Sequence, residues 1–217
     1  TAWLAIDGEA GTPITQWSGD PAALEWTSYD VTALPYQVRH GDVAVIGVGG
    51  GRDILSALWG RNHSVLGVDV NRIMIDLLTT SHRDFAQIVQ RPEVTLVHDD
   101  GRAFLTRTDR RFDVIQMSLV DTWAATGAGA FTLSENALYT LDAWRVFLSR
   151  LTPGGVLSVS RWFDPDNTSE TSRLVALGTA ALLDRGVARP LTQMVLVVRG
   201  RVATLMVSNA AFSPDDQ

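Results

Sequence analysis

Five short apolar runs, separated by amphipathic stretches, are the feature that most constrains the fold of this chain. The runs are rich in β-branched residues and are bounded by turn residues or charges, as strands are. They occupy residues 43–46, 64–68, 94–97, 114–117 and 156–160. Because strands that are apolar on both faces are typical of buried parallel sheets, the pattern predicts an α/β fold with a doubly wound, mostly parallel sheet.

The stretches between these runs predict the helices that cover the sheet. Helices are expected at residues 52–59, 72–89, 101–105 and 135–151, and a further one at about residues 171–184. In the fourth of them, Ser134 can cap the start, and Pro153 with two glycines stops the chain just beyond. The runs TQMVLVVRG and RVATLMVS then predict a C-terminal antiparallel hairpin, which brings the sheet to seven strands.

The two ends of the chain do not follow this alternation of strands and helices. The opening stretch alternates apolar and polar residues around a Gly-rich centre and predicts a small β-hairpin, followed by a short helical segment that Pro35 ends. We therefore expect residues 1–40 to hold this appendage, residues 41–212 to form one Rossmann-like domain, and residues 213–217 to be a disordered tail.

Composition excludes several classes of function. The formal charge of −6 and the absence of any basic run argue against a nucleic-acid partner, although an acidic surface would suit a cationic substrate such as a polyamine. The chain has no cysteine, and its four histidines show no metal-ligand spacing, so no metal is expected. No apolar run approaches the length of a membrane span, so a cytoplasmic location is expected. A homodimer is compatible with the sequence. A longer, membrane-anchored parent chain is compatible with it as well.

A glycine-rich turn follows the first strand at once. Gly47, Gly49, Gly50 and Gly51 come directly before a helix, so the backbone can turn tightly and present free N–H groups to a ligand. Such turns occur in nucleotide, flavin and sulfonium binders alike. A tight turn without a ligand is the alternative interpretation.

Carboxylates close the next two strands. Asp69 lies 22 residues after Gly47, where an acidic residue accepts from both ribose hydroxyls. Asp99 or Asp100, beside Gly101, ends the third strand, where a carboxylate can accept from an adenine amino group. Each carboxylate can instead cap the following helix. With the glycine turn, these residues predict a cradle for an adenosine-bearing ligand.

The ordered motifs VIGVGGGRD, GVDV, HDDGRAFL, FDVIQMSLVD and LTPGGVLSVSRW resemble those of the class I S-adenosylmethionine-dependent transferases. AIDGEAGTPITQW, YDVTALPY and FTLSENALYTLDAWRVFLSRLTPGG further resemble the spermidine-synthase-like branch, and PGG before the fifth strand disfavours an NAD-linked oxidoreductase. The resemblance spans roughly residues 4–162. It implies S-adenosylmethionine or its decarboxylated form as group donor, bound by Gly47, Gly49, Gly50, Gly51, Asp69, Asp100 and Gly101.

The chain departs from the aminopropyltransferases at the end of the fourth strand. Their motif there is of the Asp-Ser-Ser-Asp type, and its first Asp is the expected base. Here Ser118 stands at that position, and only the second acid survives, as Asp121. Because a serine cannot replace a carboxylate unaided, Ser118 and Asp121 are both candidate catalytic residues, with a solvated turn as the alternative for Asp121. Tyr29 and Trp123 are candidate substrate contacts or half-buried packing residues.

A second departure concerns the donor. Gly50 stands where the aminopropyltransferase loop carries an Asp suited to a bare amine, and Arg52 follows. The loss of an anion and gain of a cation favour a donor that keeps its carboxylate, so methyl transfer from S-adenosylmethionine to a small acceptor is our main hypothesis. A polyamine aminopropyltransferase with a relocated base, and a catalytically degenerate adenosyl-binding domain of a larger protein, are the alternatives.

Overall fold

The computed structural model describes residues 1–6, 10–120 and 137–216. The strands are β1 (Ala2–Ile6), β2 (Ala10–Ile14), β3 (Asp42–Ile46), β4 (Ser64–Asp69), β5 (Val94–His98), β6 (Phe112–Ser118), β7 (Leu151–Trp162), β8 (Met194–Arg199) and β9 (Val202–Ser208). The α-helices are α1 (Pro35–Val38), α2 (Arg52–Trp59), α3 (Arg72–Thr79), α4 (Arg83–Ala86), α5 (Gly101–Arg107), α6 (Leu141–Ser149) and α7 (Ser169–Asp184). Short 3-10 helices lie at Pro21–Tyr29, Val31–Ala33, Ile88–Gln90, Pro190–Gln193 and Pro214–Asp216.

Seven strands form one sheet in the order β5-β4-β3-β6-β7-β9-β8. The pairs from β5 to β7 are parallel, and β9 pairs antiparallel with both β7 and β8. β1 and β2 form a separate antiparallel hairpin. The predicted Rossmann-like fold, with its C-terminal antiparallel hairpin and N-terminal appendage, is confirmed. The strand order reverses between β3 and β6, which is where such sheets bind ligands.

Burial on both faces explains why the central strands are almost entirely apolar. Ala44 and Ile46 of β3 pack into a core with α6, while Val43 and Val45 of the same strand pack into a second core with α2. Because successive side chains of a strand point to opposite faces, each strand contributes to both layers.

The helix predicted at residues 72–89 is broken in the structure. α3 ends at Thr79, where the hydroxyls of Thr79 and Thr80 donate to the carbonyls of Ile75 and Asp76, and Gln87 has a positive φ of 53°. Side chains that bond the backbone in this way compete with helix continuation. The single long helix was therefore a wrong prediction, and two short helices replace it.

Two proline segments also differ from expectation. Pro35 begins α1 rather than ending a helix, because proline at the first helical position needs no N–H partner. The segment around Pro153 is part of β7, whose register with β6 shifts between Phe112 and Val114. α6 begins at Leu141 with Thr140 as its cap, whereas Ser134 lies outside the described residues.

The C-terminal segment that was expected to be disordered contains the 3-10 helix Pro214–Asp216. Asp216 pairs with Arg39 at 2.8 Å, and its pKa is lowered by this guanidinium and by bonds from Ser213. The contact holds the segment against the end of α1, just before β3. Among the helices of the described ranges, none has the length and apolar character needed to span a bilayer.

Candidate active site

The carboxyl ends of four neighbouring strands, β5, β4, β3 and β6, carry the predicted site residues. The glycine loop follows β3, Asp69 is the last residue of β4, Asp100 follows β5, and Ser118 is the last residue of β6. The donor side of this edge is defined here as the glycine loop, Asp69 and Asp100. Its acceptor side is the end of β6 with the side chains that touch it.

The glycine loop has a backbone that other residues rarely adopt. Gly47, Gly49 and Gly51 have φ values of 80°, 50° and 89°, and the Gly51 N–H donates to the carbonyl of Val48 at 2.8 Å. Glycine enters this left-handed region without the strain that a Cβ imposes. α2 begins immediately afterwards, so its first N–H groups face the same edge of the sheet as the strand-end carboxylates.

Asp69 lies directly against this loop. Its Oδ2 accepts from the Gly49 N–H at 2.9 Å and its Oδ1 from the Asn71 N–H at 2.7 Å. The residue is 7% exposed. Because each carboxylate oxygen can accept a second hydrogen bond, Asp69 keeps capacity for ligand hydroxyls. The loop and the acid that closes β4 therefore share one location.

Asp100 caps α5, which is the alternative that the sequence left open. Its Oδ1 accepts from the Ala103 N–H at 2.7 Å, and this bond occupies one of its two oxygens. Gly101 is packed closely, since a Cβ there would lie 2.4 Å from Cγ2 of Ile46 at the end of β3. Asp99 forms an ion pair with Arg107. Capping and close packing thus hold the start of α5 beside the glycine loop.

The N-terminal hairpin packs onto the donor side. The Gly50 N–H donates to the Thr12 hydroxyl at 3.0 Å, and a Cβ on Gly50 would lie 2.1 Å from the Pro13 carbonyl oxygen. This distance is far inside van der Waals contact, so Gly50 cannot be replaced without movement of β2. An acidic side chain, such as the aminopropyltransferase loop carries, has no room here.

A buried network of polar side chains lies on the acceptor side. The Tyr36 hydroxyl donates to Oε1 of Gln116. The Gln116 Nε2 donates to the Thr32 carbonyl at 2.8 Å and to the Ser118 hydroxyl at 2.9 Å. Tyr36, Gln116 and Thr32 are all buried, while Ser118 is half-buried. Gln116 of β6 therefore holds the Ser118 hydroxyl, and Tyr36 and Thr32, from the segment that precedes the sheet, hold the Gln116 amide.

Asp53 is a buried carboxylate that was not predicted as a site residue. It lies in the first turn of α2 and is only 6% exposed. Burial raises its pKa from 3.8 to about 6, against the opposing effects of Arg52 and Ser118. Burial, with the charge of Asp53, also raises the pKa of Tyr36, which keeps that phenol protonated. An acid in the first turn of a helix is common, so the sequence carried no signal.

Arg52 is held by the segment before α1. Its Nη2 donates to the Thr32 hydroxyl at 2.7 Å and lies 3.0 Å from Oδ2 of Asp30. The other guanidinium nitrogens are not used in these two contacts. The residue therefore links the N-terminal segment to the first turn of α2.

The remaining candidate residues are placed less centrally or lie outside the described chain. Tyr29 is 64% exposed, and its carbonyl accepts from Arg199, so it does not join the network. Asp121 and Trp123 lie outside the described residues. Just before them, Leu119 has a positive φ of 53°, and Val120 would contact a Cβ on Gly47 at 3.1 Å. Val120 thus lies next to the start of the glycine loop.

Across the described parts of the chain, no group of three or more metal-ligating side chains is placed to hold a metal ion. The chemistry that the arrangement offers comes from backbone N–H groups, two strand-end carboxylates and the Ser118 hydroxyl at the end of β6. It is suited to a ligand with hydroxyl and amino donors.

Two curated proteins and several solved structures are similar to this chain. No family model matches the chain. It is 33% identical over 138 residues to polyamine aminopropyltransferase 2 of Pseudomonas aeruginosa, an alignment covering 60% of this chain and 37% of that protein. It is 30% identical over 183 residues to the polyamine aminopropyltransferase of Nitrosomonas europaea, covering 80% of this chain and 51% of that protein. The chain thus spans about half the length of these relatives or less.

The structure of spermidine synthase from Thermotoga maritima superposes with a TM-score of 0.63 at 16% identity, covering 99% of this chain and 67% of that one. Methyltransferase structures share the fold as well. The chain therefore has the Rossmann-like fold of the class I S-adenosylmethionine-dependent transferases. Within that class, its resemblance to the spermidine-synthase-like branch, predicted from the sequence, is confirmed.

Proposed function

We propose that this chain binds an adenosine-bearing sulfonium donor and transfers one of its groups to a small acceptor. The observation that carries the proposal is the 2.9 Å contact between the Gly49 N–H and Oδ2 of Asp69. It brings the glycine loop and the acid that closes β4 to one place at the topological switch point. This is where open α/β sheets bind nucleotide-like ligands.

The residues present fit such a donor. Asp69 would accept from the ribose hydroxyls, Asp100 and Gly101 would meet the adenine, and the loop from Gly47 to Gly51 would face the sulfonium portion. Hydrogen bonds to an ionised carboxylate are stronger than neutral ones, so Asp69 should contribute most to affinity. These roles are proposals that follow from position and chemistry.

The transfer itself needs little covalent chemistry from the protein. A sulfonium is already an activated electrophile, so most of the acceleration can come from holding a nucleophile in line at about 3–3.5 Å and from excluding water. Ser118 faces this place from the end of β6. Asp121, Trp123 and Tyr29 stay predicted acceptor-side residues.

The group transferred depends on the donor. The Pro13 carbonyl leaves no space for a side chain at Gly50, so an acid that could hold a bare amine is sterically excluded there. Arg52 follows two residues later. These features favour a donor with a carboxylate, and we propose S-adenosylmethionine and methyl transfer. The comparisons do not confirm this preference. The names of both relatives favour the second candidate, aminopropyl transfer from decarboxylated S-adenosylmethionine to a polyamine.

Calorimetric titration of the purified chain with both donors tests the proposal. The variant Asp69→Ala should bind the preferred donor about 100-fold more weakly, or about 2.7 kcal/mol, because two charge-assisted ribose bonds are lost. Asp76→Ala, which removes an exposed acid from α3, is the matched control and should bind normally. Unchanged affinity in Asp69→Ala would refute the proposed donor site. Tighter binding of the decarboxylated donor by the unmodified chain would reverse the order of the two candidates.

A degenerate adenosyl-binding domain of a larger protein is distinguished by turnover. Tight donor binding without transfer to any amine, alcohol or acid acceptor would support that alternative. Homodimer formation, a cytoplasmic location and membership of a longer, membrane-anchored chain stay predictions from the sequence.

A further inference from the structure

Arg52 and Asp30 form an ion pair immediately after the glycine loop. Arg52 is the first residue of α2, and its Nη2 lies 3.0 Å from Oδ2 of Asp30. Each of the two side chains is 31% exposed. Because partly exposed ion pairs contribute little to stability, the stability of the fold alone gives little reason for two opposite charges at this place.

Both members of the pair keep hydrogen-bonding capacity for a further group. Arg52 uses only Nη2, which also donates to the Thr32 hydroxyl at 2.7 Å, so its Nη1 and Nε make no hydrogen bond with the described residues. Oδ1 of Asp30 accepts from the Thr32 N–H at 3.0 Å, and each carboxylate oxygen can accept a second hydrogen bond. A guanidinium with unused N–H groups thus stands beside a carboxylate with unused lone pairs.

A series of hydrogen bonds places the pair close to the end of β6. The hydroxyl of Thr32 accepts from Arg52, and its carbonyl accepts from Nε2 of Gln116 at 2.8 Å. The same Nε2 donates to the Ser118 hydroxyl at 2.9 Å. The guanidinium of Arg52 is therefore separated from the last residue of β6 by only two side chains.

The order of the strands sets the direction in which the proposed donor would lie. Asp100 follows β5, Asp69 ends β4 and the glycine loop follows β3, and these three strands are neighbours in the sheet, with β6 next to β3. With the adenine at Asp100 and the ribose at Asp69, the sulfur and its substituents would lie toward β3 and β6. The amino-acid tail of S-adenosylmethionine would then approach the first turn of α2, where Arg52 and Asp30 meet.

Given the proposed donor site, on which this inference rests, we propose that Arg52 and Asp30 together bind the amino-acid tail of the donor. The tail carries an ammonium and a carboxylate on one carbon, so it presents two adjacent opposite charges, as the pair does. Arg52 donates to the carboxylate through its unused N–H groups, and Asp30 accepts from the ammonium. The segment before α1 thus supplies the carboxylate that has no room at Gly50.

The two members of the pair favour different donors. The decarboxylated donor keeps the ammonium but lacks the carboxylate, so it contacts Asp30 and brings a second positive charge close to Arg52, which is unfavourable. Arg52 therefore strengthens the binding of S-adenosylmethionine and weakens that of the decarboxylated form. Asp30 matters most for the decarboxylated form, because removal of Asp30 also frees Arg52 to bind the carboxylate of S-adenosylmethionine.

Calorimetric titration of two variants with both donors tests this assignment. Arg52→Gln should bind S-adenosylmethionine about 10-fold more weakly, and the decarboxylated donor at least as tightly as the unmodified chain does. Asp30→Asn, which keeps an oxygen for the Thr32 N–H, should bind the decarboxylated donor about 10-fold more weakly and S-adenosylmethionine with a smaller loss. The ratio of the two affinities should thus shift in opposite directions. Because both affinities are measured on one variant, a general loosening of the fold cancels in this ratio.

The controls separate binding of the tail from binding of the adenosine. The ligand 5′-methylthioadenosine has the adenosine but no amino-acid tail, so its affinity should be the same in both variants as in the unmodified chain. Arg52→Lys keeps the charge and should keep most of the affinity for S-adenosylmethionine. Arg145→Gln, which removes an exposed ion pair between α6 and α7, is the matched control variant and should leave all three affinities unchanged.

The outcomes distinguish this inference from the proposed function. If the unmodified chain binds none of the three ligands, the donor site itself is refuted. If it binds them and the ratio of the two donor affinities stays the same in both variants, or if 5′-methylthioadenosine loses as much affinity as the donors, the pair only ties the N-terminal segment to α2. The test does not depend on which donor the unmodified chain prefers, because it concerns the change in the ratio.

Discussion

The donor side and the acceptor side of the strand edge are built in different ways. The donor side uses backbone: the Gly49 and Asn71 N–H groups bind Asp69, and the Ala103 N–H binds Asp100. The acceptor side uses buried side chains that are far apart in the sequence, such as Tyr36 and Gln116. The first therefore depends on local geometry and the second on the assembly of the whole domain.

This difference predicts which residues of the strand edge tolerate substitution and which do not. A backbone cradle tolerates few substitutions because glycine and close packing are required. The acceptor side uses side chains, and a side chain can be exchanged without changing the backbone. One fold can thus keep its backbone cradle while the chemistry at the end of β6 changes.

The largest expected effect comes from the donor side. Gly50→Ala places a Cβ 2.1 Å from the Pro13 carbonyl oxygen, so β2 must move. We expect a loss of about 3 kcal/mol in the free energy of unfolding, measured in urea, together with weaker donor binding. Gly154→Ala is the control, because the nearest atom to its Cβ is Arg39 Nε at 3.9 Å. Equal stability of the Gly50→Ala and Gly154→Ala variants would show that the N-terminal hairpin does not pack tightly against the glycine loop.

A smaller effect is expected on the acceptor side. Tyr36→Phe removes the donor to Gln116 and leaves a buried amide oxygen unpaired, which should cost about 1.5 kcal/mol in urea unfolding. Tyr29→Phe, at an exposed site, should change stability by less than about 0.5 kcal/mol. If Tyr36→Phe is as stable as Tyr29→Phe, the network does not hold Ser118 in place.

The smallest effect on stability is expected at Arg52, which follows the glycine loop and contacts Thr32. Arg52→Gln removes a one-third-exposed ion pair with Asp30 and should cost only about 0.5 kcal/mol. It should also raise the pKa of Asp53 further, because the Arg52 charge lowers it, so the contribution of protonated Asp53 to stability would be lost at a higher pH than in the unmodified chain. If Arg52 binds the donor carboxylate, the variant loses affinity for S-adenosylmethionine but not for its decarboxylated form. An equal change for both donors would exclude that contact.

The same contrast explains how much the sequence could predict. The sheet, the glycine turn and Asp69 could be predicted from the sequence because strand hydrophobicity and turn glycines are local signals. The contact between Tyr36 and Gln116 could not be, because Tyr36 lies 80 residues from Gln116 and each residue alone is unremarkable for its element. The break after Thr79 was missed because periodicity continues across it. Side-chain bonds to the backbone, rather than burial, end that helix.

The packing of β2 on Gly50 also limits how the glycine loop could be redesigned. A point change that installs an acid in the loop would collide with the hairpin before it could meet any ligand. Installing such an acid would therefore require coordinated remodelling, in which Thr12 and Pro13 are rebuilt together with Gly50. The hairpin residues that pack on Gly50 thus restrict which single substitutions the loop can accept.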